Sequence, residues 1–142
     1  MNVLTDLDIY EIVDHHNIKI NCIYQKDKLT DLRDGFYIIN LQPSTEGNGS
    51  HWCALYYDDN SSWFDSFGFV PPEEIELLLE DYNYNDNDLQ NIHSSSCGFY
   101  CIAFIKFLYN KKDKVEAYKT FLNLFKENTF QNERILKQIL DK

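Results

Sequence analysis

The run Ser94-Ser95-Ser96-Cys97-Gly98-Phe99-Tyr100-Cys101-Ile102-Ala103-Phe104-Ile105-Lys106-Phe107-Leu108-Tyr109 decides how the rest of the chain is read. From Cys97 to Tyr109 it is apolar on nearly every side, with Lys106 as its one charge. A helix without a polar face must be covered all round, so the run predicts a central buried helix. The serines before it are good helix caps, which sets Cys97 in the first turn. There the unpaired amides and the positive end of the helix dipole favour a thiolate, the nucleophilic form of cysteine. Position alone leaves the plainer alternative open: a small thiol packed in the core, the commonest setting for a free cysteine.

Outward from this helix the chain supplies what must cover it. Residues 5–16 read as a helix capped by Thr5 or Asp6, with Leu7, Tyr10, Ile12 and Val13 on an apolar face. Ile18, Ile20 and Cys22 alternate with Lys19 and Asn21, a strand period, and Phe36–Leu41 is a short β-rich apolar run. His51–Tyr57 and Trp63–Phe67 flank Asp58–Ser62 as the arms of a hairpin. Pro72 opens an acidic helix through Leu78, and the Asn/Asp-rich stretch Tyr82–Asp88 reads as a surface loop. Two amphipathic helices follow the central one, near Lys114–Glu127 and Gln131–Leu140. Strands in the middle with helices toward the ends make an α+β domain, a small mixed or antiparallel sheet packed on the nucleophile-bearing helix.

The 142 residues suit one domain, 1–142, and 44% hydrophobic residues suffice for a core. The net charge of −10 argues against simple electrostatic binding to DNA or an anionic membrane. It is unevenly placed. Residues 1–97 hold 4 basic and 18 acidic side chains, and residues 98–142 hold 9 basic and 5 acidic. No apolar run reaches the roughly 18 residues of a membrane span. Met1–Asp6 has neither the basic nor the apolar region of a signal peptide. Cys22, Cys53, Cys97 and Cys101 are therefore expected reduced.

A thiolate nucleophile needs a base. His15 and His16 end the first helix and read as surface residues. His93 lies four residues before Cys97, and His51 opens a strand after the Glu46–Ser50 loop; both stay candidates. Asp65 sits in an aromatic strand, where a bare carboxylate is costly and calls for a partner. His51 and Asp65 both approach the open end of the hairpin. They share a face only if the connection is odd in length or bulged. Gln90, seven residues before Cys97, offers an uncharged amide donor, although a lone Gln is more often solvated. A zinc site from His93, Cys97 and Cys101 lacks a convincing fourth ligand, so no metal is expected.

Taken together, His51-Trp52, Phe64-Asp65-Ser66-Phe67-Gly68-Phe69 and Gln90 followed by Cys97-Gly98-Phe99-Tyr100-Cys101 resemble the adenovirus-type maturation protease. That family lies within the wider group of SUMO- and ubiquitin-like-protein proteases. The seven-residue Gln-to-Cys spacing and the Phe-Gly-Phe after the acid match the adenovirus branch, whereas the SUMO branch usually has a spacing of six and an Asp before the Cys. Here Ser96 stands there. The resemblance implies Cys97 as nucleophile, His51 as base, Asp65 as its orienter and Gln90 as oxyanion donor. Trp52, with Gly49, Ser50 and Ser96, would line the substrate side. It implies cleavage of precursor capsid or core proteins after short Gly-rich motifs, in a virion or infected cell, by a monomer without a required cofactor. Family members are stimulated by DNA and a basic peptide. The charge of −10 makes DNA dependence doubtful here and keeps a basic activating peptide as a candidate partner. A deubiquitinase or SUMO-type deconjugase, and an inactive binding module, are the competing readings.

Overall fold

The computed structural model describes residues 3–25, 29–41, 51–91 and 94–142. Among the described residues, five α-helices and five strands follow in the order α1 (Asp6–His15), β1 (Cys22–Gln25), β2 (Gly35–Asn40), β3 (Trp52–Tyr57), β4 (Ser61–Phe64), α2 (Glu73–Glu76), β5 (Tyr82–Tyr84), α3 (Cys97–Leu108), α4 (Lys114–Asn123) and α5 (Asn132–Leu140), with a 3-10 turn at Thr129–Gln131 before α5. The sheet is mixed, in the order β1-β2-β3-β4-β5. Its three central strands run antiparallel, and each edge strand runs parallel to its neighbour.

The period-2 alternation of the central strands makes two cores. Phe36, Ile38, Trp52, Ala54 and Phe64 face α3, which is buried along Cys97, Gly98, Tyr100–Ile105 and Leu108. Helices α1, α4 and α5 close around α3 with Ile9, Val13, Phe121, Leu136 and Ile139. Phe64 is the keystone of that side, stacked on Phe104 at 5.1 Å and edge-on to Phe121 at 5.5 Å. The intervening residues Tyr37, Ile39, Cys53, Leu55 and Trp63 face the other way, under Leu29, Ile75 and Leu79. A helix that is apolar on every side is thus satisfied by a sheet beneath it and three helices around it, as its sequence requires.

Several boundaries differ from the sequence expectation. Helix α1 is closed by a full capping box between Thr5 and Asp8. The first strand begins only at Cys22, because the Asn21 side chain donates to the carbonyls of Arg33 and Asp34 and is occupied in a turn. The acidic helix is a single turn, α2. The Asn/Asp-rich stretch is a correction: Tyr82–Tyr84 forms edge strand β5, and Asn85 is buried. Asn85 is drawn inward because it replaces sheet hydrogen bonds beyond the end of β4. Its Oδ1 accepts from Asp65 N at 3.1 Å, and its Nδ2 donates to Asp65 O at 2.5 Å. Ser96 takes the N-cap position of α3, but its side chain does not cap that helix.

Past β4 the chain reverses through Asp65–Gly68, closed by Gly68 N donating to Asp65 O at 2.8 Å. Gly68 has φ +82°, and a Cβ there would lie 2.7 Å from the carbonyl carbon of Asn87. Both the left-handed backbone and the close approach demand glycine. Gly68→Ala should therefore destabilise the fold by about 1–3 kcal/mol, read as a lowered urea midpoint with an unchanged m-value.

Candidate active site

Two strand ends set the geometry. Strand β3 ends at Tyr57 and β4 starts at Ser61, so the hairpin loop is the three residues Asp58–Asn60, tied by Asn60 N to Asp58 Oδ1 at 2.6 Å. The odd count gives His51, Cys53 and Asp65 one parity. The register Ala54↔Phe64, carried one step on, sets Asp65 beside Cys53. His51 precedes β3, its carbonyl held by Leu41 N at 3.0 Å. The ring stacks on Phe67 at 4.8 Å between centroids.

His51 Nε2 lies 2.8 Å from Asp65 Oδ1. A carboxylate can only accept, so the ring N–H donates. The same oxygen accepts from Phe67 N at 2.8 Å. The Asp65 side chain is 0% exposed and that of His51 17%. Nε2 being engaged, Nδ1 is the nitrogen left to meet the thiol. It is buried and without a hydrogen-bond partner, as is Asp65 Oδ2. Burial by itself would lower the imidazole pKa; the hydrogen bond to Asp65, the nearness of Cys97 and the charge of Asp65 outweigh it and raise it to about 9. That direction favours the protonated, imidazolium form of His51 at neutral pH.

Cys97 opens α3 and is 4% exposed. The neighbouring thiols differ from one another in what holds them. Burial, then the Asp65 charge, pushes Cys53 well up, and burial, then Cys97, does the same for Cys101. Both keep their protons and behave as core residues. Gln90 is not solvated: it is 1% exposed. Its Oε1 accepts from Ser66 Oγ at 2.5 Å, and its Nε2 donates to Ser94 O at 2.8 Å. Its backbone is fixed as well, since Leu89 N and Gln90 N both donate to Ser66 O and Asn132 Nδ2 donates to Leu89 O.

The structure therefore brings His51, Asp65 and Cys97 together, and places Gln90 in the loop that leads to Cys97. Trp52 is buried, with its indole N–H donating to Leu4 O at 2.9 Å, and Ser96 is buried with its hydroxyl on Glu133. Gly49, Ser50 and His93 lie outside the described residues. Among the described residues, His51, Cys53 and Asp65 hold possible metal-ligand atoms within 4.8 Å of one another. Within this group His51 Nε2 and Asp65 Oδ1 are bonded directly to each other, 2.8 Å apart.

Sequence reasoning missed several supports. Leu4 lies against both Trp52 and Gly98. Tyr118, from α4, donates to Trp63 O at 2.5 Å and to Asn85 Oδ1 at 3.0 Å, which steadies the segment that carries Asp65. Glu133 holds the serine run. Asn85 and Glu133 carry no local signal, because one lies in a polar cluster and the other in an ordinary acidic helix start.

His51, Asp65 and Cys97 are thus candidate members of one site on an α+β scaffold. No known family profile matches the chain. It is 28% identical, over 83 aligned residues covering 44% of this chain and 42% of the relative, to a protease of bovine adenovirus C serotype 10. In fold it matches the crystal structure of ASFV pS273R protease, with a TM-score of 0.56 over 98% of this chain and 66% of that one at 15% identity. A selenomethionine crystal structure of pS273R gives 0.53 over 84% and 62% at 17% identity. The chain thus spans less than half the length of the adenovirus relative and just under two thirds of pS273R. The likeness in sequence is thus to an adenovirus protease, and the likeness in fold is to pS273R.

The histidine gives a signed test. Its folded pKa of about 9 lies above the ordinary value of 6.5. The stability it contributes is fully present below pH 6.5 and is lost as pH rises through 9. An NMR titration should show the His51 resonance turning near pH 9, and moving down in both Asp65→Asn and Cys97→Ala. The stability difference between wild type and Asp65→Asn should shrink over that window. A wild-type midpoint near 6.5 would contradict the charge assignment.

Proposed function

We propose that the chain is a viral-type cysteine endopeptidase that cleaves precursor proteins after small, Gly-rich motifs during particle maturation. The observation that carries this reading is His51. One ring nitrogen is bound to a buried carboxylate, the other is buried and unsatisfied, and the ring is raised to a pKa of about 9 by Asp65 and Cys97. A structural core histidine has no use for that arrangement, whereas a thiolate–imidazolium pair does.

In this reading the Cys97 proton already resides on His51 Nδ1, and the sulfur of the thiolate–imidazolium pair attacks the scissile carbonyl. The carbonyl electrons move to oxygen, which is held by the Cys97 backbone N–H and the Gln90 amide. Asp65 fixes the ring orientation and stabilises its charge. Collapse breaks the C–N bond, and the leaving amine receives the proton from His51. Water, giving a proton back to the ring, attacks the thioester and frees the carboxylic acid and the thiol. The narrow approach required of small residues would involve Trp52. The bovine adenovirus relative is named a protease, and that name supports a protein substrate here.

The acidic region before Cys97 suits a basic activating peptide or basic precursor. Stimulation by such a peptide should weaken as salt rises; equal stimulation at low and high ionic strength would remove the electrostatic account.

A Gly-containing peptide library digested by wild type and by Cys97→Ala, and read by mass spectrometry, tests the activity directly. Cuts after small residues should appear only with wild type. His51→Ala should abolish them, and Gln90→Ala should slow turnover by about 10²-fold or more, alongside a stability loss of about 1–3 kcal/mol from its buried hydrogen bonds. Identical peptide maps for wild type and Cys97→Ala would exclude the reading. Labelling of Cys97 by ubiquitin- or SUMO-based electrophiles would move the assignment to a deconjugase.

A further inference from the structure

A serine at a helix N-cap ordinarily accepts a hydrogen bond from the second or third amide of its helix. Ser96 holds that position on α3 and does not do so. Its hydroxyl donates instead to Glu133 Oε1 at 2.6 Å, and the Ser94 hydroxyl donates to the same oxygen at 2.5 Å. Ser94 Oγ in turn accepts from Ser96 N at 3.2 Å. Glu133 belongs to the first turn of α5, 37 residues away in sequence, so nothing local puts it there. Burial would raise its carboxyl pKa, but the two hydroxyls hold it below the ordinary range. It is therefore an anion that can only accept, and it keeps both hydroxyl protons pointed away from α3.

Two consequences meet at the proposed oxyanion position. The Ser96 hydroxyl does not compete with a developing negative charge for the first-turn amides of α3. Ser94, pinned through its hydroxyl, presents its carbonyl to Gln90 Nε2 at 2.8 Å, while Ser66 occupies Gln90 Oε1. The amide orientation is thereby fixed, and one Nε2 hydrogen remains for a substrate oxygen. Ser94 and Ser96 bracket the approach to Cys97, and a single carboxylate oxygen holds both.

We propose that Glu133 is a positioning residue for the oxyanion site: it draws the Ser94–Ser96 loop onto α5, keeps the Ser96 hydroxyl off the nucleophile helix and sets the Gln90 amide. The proposal rests on the thiol-hydrolase reading above and concerns its tetrahedral step alone. Attack on an ester passes through an oxyanion, whereas alkylation by iodoacetamide does not, and this separates the role of Glu133 from thiol activation.

The test measures two rates on the full chain. One is the p-nitrophenolate burst from p-nitrophenyl acetate, in which the Cys97 thiolate forms a thioester and expels p-nitrophenolate. The other is alkylation of Cys97 by iodoacetamide. Glu133→Ala should slow the burst about 10-fold or more, since oxyanion donors are worth that or above. Alkylation should stay within about twofold. Glu133→Gln, which keeps an acceptor oxygen, should recover the burst to within about threefold of wild type. Circular dichroism monitors folding. Should Glu133→Ala not fold, Ser94→Ala/Ser96→Ala removes the same two bonds and should give the same split. A burst unchanged in these variants, a burst and alkylation that fall together, or no recovery with Gln overturns the proposal and leaves the hydrolase reading standing. A wild type with neither a burst nor enhanced alkylation removes both.

Discussion

A fully buried carboxylate at the end of a central strand is the constraint on which this structure turns. Asp65 is 0% exposed, and an uncompensated charge there would cost several kcal/mol. Its compensation draws on the whole domain. The side chain is met by His51 from the neighbouring strand and by Phe67 N from its own turn. Its backbone is met on both sides by the Asn85 amide, which Tyr118 of α4 holds in place. The next residue, Ser66, reaches Gln90 with its hydroxyl and anchors Leu89 and Gln90 with its carbonyl. Neighbouring residues thus orient the proposed base and the proposed oxyanion donor, so the two cannot be displaced independently.

The rigidity of that turn has a specific origin. Gly68 closes it in a conformation that side chains avoid, against the Asn87 backbone. Phe67 then lies flat on the His51 ring, which limits the ring's rotation about the bond to Asp65. The aromatic run that looked in the sequence like ordinary strand therefore divides its work. Trp63 and Phe64 fill opposite cores, and Phe67 serves the histidine.

How much was legible follows from how local each signal is. Helix α3 was readable because thirteen consecutive residues with one charge admit a single environment. The shared face of His51 and Asp65 was readable as a condition on loop parity, and a three-residue loop meets it. The mixed character of the sheet was not fixed beforehand, because parallel edge pairing depends on how Cys22–Gln25 and Tyr82–Tyr84 return across the domain rather than on their own residues. Asn85 and Glu133 were illegible for the same reason. Their partners lie 20 and 37 to 39 residues away, and a polar residue reads as solvated until a buried partner is found for it. The capping serines were legible in kind and misassigned in use: they stand where caps stand, but donate to a distant carboxylate instead of accepting from the helix.

That reversal bears on the charge asymmetry. The sign of the chain's charge changes at Cys97, yet the site does not depend on net charge. Exposed charges more than about 8–10 Å away are screened at physiological ionic strength, whereas the Asp65–His51 contact is 2.8 Å long and almost dry. Two carboxylates near the nucleophile could have suppressed its ionisation, since like charges raise a thiol pKa. Each is instead committed to donors: Asp65 to an imidazolium and an amide, Glu133 to two hydroxyls. Their fields are absorbed where they arise. What remains beside the sulfur is the charge of His51. The acids nearest the proposed nucleophile of this acidic protein are thus already engaged with donors.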